Sequence, residues 1–222
     1  MYWTLFIVIL VLSTIVQSTF EGRFRKYSKV QLESGLSGAE VAERMLRDHG
    51  IRDVSITCVK GKLTDHYDPR DRTINLSREV YEGRTVAAAA VAAHETGHAV
   101  QHYLDYAPLR LRSALVPAVN FANKTMQWVI LLGFIFFSVF PQLLWAGIGL
   151  FAITTLFSIV TLPVEVNASA RAVSWLEDEH ITGPEQIPMA KSALRSAAYT
   201  YFIAALSSIA TLLYYIGIAK KN

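Results

Sequence analysis

Residues 125–164 read TMQWVILLGFIFFSVFPQLLWAGIGLFAITTLFSIVTLPV, with no Asp, Glu, Lys or Arg between Lys124 and Glu165. A helix needs about 20 predominantly apolar residues to span the hydrocarbon core of a bilayer, and 40 uncharged positions in a row suffice for two passes. Pro141 and Gln142 divide the stretch into runs of Met126–Phe140 and Leu143–Leu162, the pattern of a helical hairpin. Core helices of a small soluble protein keep a polar face, so the stretch reads as membrane-embedded. Two runs further out share its character. Tyr2–Phe20 carries no charge before Glu21, and Ala197–Ala219 ends in Lys220 and Lys221, with Tyr199, Tyr201, Tyr214 and Tyr215 near its ends as interfacial aromatics. The first run lacks a basic leader region, which favours a retained anchor over a cleaved signal peptide. Four membrane spans are expected.

The composition agrees. Of 222 residues 52% are hydrophobic and only 18% charged, where soluble domains carry about a quarter charged. That leaves material for one compact water-soluble unit beside the spans and excludes a multidomain assembly. Cys58 is the single cysteine, so no intramolecular disulfide staples the fold. Of 21 Lys and Arg, 16 lie between residues 17 and 127, with no basic tail or aromatic-basic tract suited to nucleic acid. Arg23, Arg25, Lys26 and Lys29 crowd the exit of the first run, and the positive-inside tendency places them, with the soluble part, in the cytoplasm. The expected fold is a mainly α membrane protein with four transmembrane helices and a small α+β soluble part. Its segments are an anchor (1–20), a soluble part with a small sheet (21–125), a transmembrane hairpin (126–162), a helix and loop (163–196) and a C-terminal transmembrane helix (197–222).

Within the soluble part, Ser37 with Glu40 matches a capping box, followed by Val41, Ala42, Met45 and Leu46 at helical spacing before Gly50. Val54–Val59, Leu63–Tyr67 and Thr73–Leu76 read as strands separated by Lys60-Gly-Lys and Asp68-Pro-Arg-Asp turns. Ser77, with Glu79 and Glu82 in the first turns, is expected to open one long helix, alanine-rich from Ala87 to Ala93 and running to about Tyr103. The strand at Thr73–Leu76 is expected to offer an edge to an extended peptide.

That helix carries His94-Glu95-Thr-Gly-His98. Two histidines four residues apart lie about 40° apart on one helix face, where they can bind a single zinc ion. Neutral imidazoles ligate zinc, an open position holds a water whose pKa the metal lowers to about 7, and a carboxylate, Glu95, takes the proton as that water attacks a carbonyl. A third ligand is needed. His102, one turn beyond His98, would require one ion to touch three successive turns of a straight helix, so it reads as a surface or supporting histidine. Glu165 is the first charge after the apolar stretch, two crossings from His98 and therefore on the same side of the membrane. It is the expected third ligand, against the simpler reading of an interfacial carboxylate or a partner of Arg171. His66, Tyr67, Arg171 and His180 are eligible oxyanion donors, none singled out.

The stretches Leu63-Thr-Asp-His-Tyr-Asp-Pro, Ile74-Asn-Leu-Ser, Val91-Ala-Ala-His-Glu-Thr-Gly-His-Ala-Val-Gln and Leu162-Pro-Val-Glu-Val-Asn-Ala-Ser together resemble the YugP-like family of membrane-bound neutral zinc metallopeptidases, from about residue 20 to the end. The architecture is also similar to HtpX-type and prenyl-protein proteases, in which a zinc helix and a glutamate helix bracket two spans. The resemblance implies a zincin-like soluble part, one Zn2+ per chain and an integral protein of the bacterial cell membrane. Its implied activity is a zinc-dependent endopeptidase acting on protein or peptide substrates. In the relatives a carboxylate follows the glutamate by three or four residues, whereas Ser169 occupies that region here. The competing expectation, of a different class, is a zinc-stabilised membrane scaffold without turnover; the retained Glu95 argues against it, because structural zinc sites are closed by four protein ligands and have no use for a base.

Overall fold

A computed structural model describes residues 2–221. In chain order the elements are α1 (Tyr2–Tyr27), α2 (Gly38–Asp48), β1 (Ser55–Val59), β2 (His66–Asp68), β3 (Thr73–Ser77), α3 (Arg78–Tyr81), α4 (Val86–Tyr103), α5 (Ala107–Ile135), α6 (Gln142–Asp178) and α7 (Ile187–Lys221). They form two compact units, one of residues 15–106 and 164–200, the other of residues 1–14, 107–163 and 201–222. The protein is mainly helical, with one small mixed sheet.

The first unit is built around α4. Its N-cap is Thr85, whose hydroxyl accepts from the Ala88 amide at 3.2 Å. Ala87–Ala90, Ala92 and Ala93 are all buried, because side chains this small let neighbouring elements close on the helix from several directions. Val41 and Met45 of α2, Ile74 and Leu76 of β3, and Ala172 and Leu176 of α6 fill the same core. The expected capping box is present: Ser37 Oγ accepts from the Glu40 amide and Glu40 Oε2 accepts from the Ser37 amide at 2.7 Å.

One continuous helix from Ser77 does not form. Ser77 heads only the single-turn α3, and its hydroxyl and amide both donate to the Asp65 carboxylate instead. The chain then runs extended through Arg84, because its backbone groups are taken by the segment before α2: Leu32 N–H donates to the Arg84 carbonyl and Val86 N–H to that of Val30. The sheet order is β1-β3-β2, with β1 parallel and β2 antiparallel to β3. This corrects the expected role of Thr73–Leu76: β3 is the central strand, both of its edges are paired, and the edges of the sheet belong to β1 and β2.

In the second unit α5 and the first part of α6 pack against each other. Gly133 lies against the backbone of Leu144, and Gly147 against Ile130, each with no room for a Cβ. Ile130, Leu144, Ile148 and Ala219 make a small core packed by Phe151 and Tyr215. Elsewhere this unit exposes large apolar side chains, with Phe121, Trp128, Ile135 and Leu213 each above 60% exposed, as expected of a surface covered by lipid rather than water.

Among the described residues three helices are long and apolar enough to cross a membrane: Phe6–Tyr27, Gln142–Asp178 and Ile187–Lys220. The fourth expected span, Met126–Phe140, is not such a helix by itself. The last third of that run lies beyond the helix, since α5 ends at Ile135, and the first ten residues continue a helix that carries Arg110, Arg112 and Lys124. The first helix exceeds its expected end at Phe20 by seven residues, because Phe24 and Tyr27 beyond the charged Glu21 and Arg23 find a buried apolar site.

Candidate metal centre

Three side chains distant in sequence converge in the first unit. His94 and His98, one turn apart on α4, place their rings edge to face with centroids 4.8 Å apart. Glu165 of α6 brings Oε2 to 3.2 Å from His94 Nε2 and 3.5 Å from His98 Nε2. The three ligand atoms lie within 4.8 Å of one another, and among the described residues this is the single group of three or more His, Cys, Asp or Glu able to hold a metal ion. Gly97 permits the approach. A Cβ there would lie 2.7 Å from the Ala168 carbonyl oxygen, so glycine lets the backbones of α4 and α6 meet one residue from His98 and three from Glu165.

The outer nitrogens of both imidazoles are occupied. His94 Nδ1 lies 3.1 Å from Ser169 Oγ, and His98 Nδ1 lies 3.0 Å from Gln101 Oε1. Both Nε2 atoms therefore face the Glu165 carboxylate. Burial by itself would push the His98 imidazole down; the hydrogen bond and charge of Glu165, with the charge of Glu95 and the contact to Gln101, outweigh it and hold the group above its ordinary pKa. The pocket attracts positive charge.

The donor set fits zinc. Two imidazole nitrogens and one carboxylate oxygen are the ligands of glutamate-type catalytic sites, and bonds of 2.0–2.1 Å in tetrahedral array separate ligand atoms by about 3.3 Å. Two of the three separations, 3.2 and 3.5 Å, bracket that edge, and all three lie within 4.8 Å. Three ligands rather than four would leave one position open.

Glu95 follows His94 and is buried. Its Oε2 accepts the Tyr67 amide of β2 at 3.0 Å, so an edge strand of the sheet fixes the carboxylate. The Tyr67 hydroxyl meets His102 Nδ1 at 2.8 Å, and burial, with the neighbouring Asp68 carboxylate, pushes this phenol up to about 12. His102 thus belongs with Tyr67, outside the metal group. Arg171 does not pair with Glu165 in the manner of a surface carboxylate; its Nε donates to Asn167 Oδ1 at 2.8 Å. His66 and His180 are exposed and turn their Nδ1 atoms to the local carbonyls of Thr64 and Asp178. Gln101 and Asn167 were not singled out in the sequence. The available signal for Gln101 was a polar side chain one turn after His98, next to apolar Ala99 and Val100.

A family model described as "Putative neutral zinc metallopeptidase" matches residues 2–220. The protein "Putative membrane protease YugP" of Bacillus subtilis (strain 168) is 42% identical over 212 residues, which is 96% of this chain and 93% of that protein. No solved structure matches.

Proposed function

Because the chain belongs to this neutral zinc metallopeptidase family, we propose that it is a membrane-anchored, zinc-dependent endopeptidase that hydrolyses peptide bonds of membrane-associated or misfolded proteins. The observation that carries the reading is the meeting of His94, His98 and Glu165 beside Glu95. His94 and His98, through Nε2, and Glu165, through its carboxylate, would hold one Zn2+ per chain. When bound, the metal supplies a Lewis acid and a water whose pKa falls to about 7. Glu95 takes a proton from the attacking water and returns it to the leaving amine. The Tyr67 amide holds Glu95 Oε2 and so orients the carboxylate for that transfer.

The same convergence bears on topology. His94, His98 and Glu165 share one compact unit, so an even number of crossings separates Tyr106 from Val164. The apolar part of α6 is one, and α5 with the turn that follows is the segment available for the other. We therefore assign α5 as a fourth crossing, despite its charged N-terminal half. The positive-inside tendency of Arg23, Arg25, Lys26 and Lys29 supports an active site on the cytoplasmic side, and the membrane we assign is the bacterial cell membrane.

The test is zinc per chain in detergent-purified wild type, Glu165→Ala and His102→Ala. The expected result is about one zinc in wild type, as for a three-ligand catalytic site, its loss with Glu165→Ala and its retention in His102→Ala. Full occupancy without Glu165 would remove the third ligand and the reading with it.

A further inference from the structure

Gln101 is completely buried, and its amide makes three hydrogen bonds whose directions are forced. Nε2 lies 2.8 Å from the Val164 carbonyl oxygen and 2.9 Å from Asn167 Oδ1. A backbone carbonyl only accepts, so the Gln101 amino group must face it and Oε1 must face His98. Asn167 is oriented the same way from the other side, since Arg171 Nε, which only donates, takes Asn167 Oδ1 as acceptor at 2.8 Å. With Oε1 an acceptor 3.0 Å from His98 Nδ1, that nitrogen must carry the proton. The lone pair of the neutral ring is then on Nε2, the atom that faces Glu165 at 3.5 Å.

We propose that Gln101 is a positioning residue of the metal centre: it fixes His98 in the Nδ1–H tautomer and, through Val164 and Asn167, ties α4 to the turn of α6 that carries Glu165. The proposal rests on the zinc reading above and deepens it. The two tasks are coupled in one side chain. The Val164 carbonyl is one residue from Glu165, so the bond that sets the direction of the Gln101 amide also sets the height of the carboxylate relative to the histidines. Partners of this kind fix ring orientation in metal sites, and their loss typically weakens metal binding about 10–100-fold. Here the acceptor is a neutral amide, held by an arginine–asparagine chain on α6.

The experiment measures the zinc dissociation constant by chelator competition for wild type, Gln101→Met and Gln101→Glu, with 15N-histidine NMR of the zinc-loaded proteins. Gln101→Met keeps the volume but removes acceptor and donors, and zinc binding should weaken about 10–100-fold. Gln101→Glu keeps an acceptor for Nδ1–H but loses the donors to Val164 and Asn167, so it should keep the Nδ1–H tautomer of His98 and recover only part of the affinity, falling between Gln101→Met and wild type. A general loss of folding would not separate the two variants in this way. In wild type, His98 should show a protonated Nδ1 and a metal-bound Nε2. Ligation through Nδ1 in wild type overturns the proposal even if Gln101→Met fails to fold, as does a folded Gln101→Met with zinc affinity within twofold of wild type. Wild type that binds no zinc at all would instead remove the function on which the proposal rests.

Discussion

Glu95 and the metal ligands divide their work between atoms a few ångströms apart, which makes single substitutions informative. Glu95→Gln retains the shape and the Tyr67 contact but cannot take a proton, so proteolysis should fall by about 10²–10⁴-fold while zinc per chain is unchanged. Wild-type cleavage by this variant would remove Glu95 as the base. His98 gives a prediction with a definite sign. Its pKa is raised in the fold, so the metal-free folded state holds the proton more tightly than the unfolded chain. The resulting stability is fully present below the unfolded pKa of about 6.5 and is lost as pH rises through the folded value. Thermal denaturation of metal-free protein at pH values from about 6 to about 8 should show a falling midpoint. Glu165→Gln, which removes the carboxylate that attracts the proton, should flatten the curve; an equally steep curve in the variant would contradict this assignment of cause. At this scale much was readable in advance, because the types and spacing of His94, Glu95 and His98 are themselves the chemistry. Glu165 was reached only through membrane topology, and Gln101 was not reached, since nothing local distinguishes a buried glutamine that supports a ligand from any other helix residue.

At the scale of elements, the centre depends on how closely α4 and α6 pack. Gly97→Ala should by helix propensity stabilise α4 by about 1 kcal/mol, yet its methyl would lie 2.7 Å from the Ala168 carbonyl oxygen. Overpacking of a tight contact costs about 1–3 kcal/mol, so a net loss is expected, seen as a lower denaturation midpoint together with weaker zinc binding. A stabilised variant with unchanged zinc affinity would show that the helices can part without cost to the site. The capping box of α2 and the strands β1 and β3 were legible, being local patterns of residue type, whereas the strand expected at Leu63–Tyr67 is His66–Asp68, its ends set by pairing with β3. The break between α3 and α4 was not. Ser77, Glu79 and Glu82 are good helix-start residues, but the backbone of residues 84–86 finds its partners in residues 30–32, a pairing with no local signature. The position of β3 in the middle of the sheet has the same origin, since strand order is set by which strands meet after the chain has turned twice.

For the whole molecule, the decisive prediction concerns sidedness. Cys58 is the single cysteine and is exposed on β1, so it reports the side of the soluble unit without engineering. A membrane-impermeant maleimide should label it only after cells are permeabilised. In a Cys58→Ser background, Lys221→Cys should be labelled in intact cells if, as proposed, α5 crosses together with α6 and α7, which puts three crossings between the two positions. Labelling of both positions on the same side would remove α5 as a crossing.

Composition and order along the chain were enough to establish a membrane protein: charged residues are too costly in hydrocarbon to be scattered through a span, so 40 uncharged positions in a row declare themselves without a structure. The facing of His94 and His98 was legible in the same way, because helix geometry brings residues four apart to one face. What only the tertiary structure decided is the company these residues keep. It brought Glu165 to 3.2 Å from His94 across 71 positions of chain, joined His102 to Tyr67 and turned Gln101 toward His98. Such contacts are selected by the packing of helices whose glycine and alanine faces fit, and each depends on the joint shape of two distant segments rather than on the residues of either one.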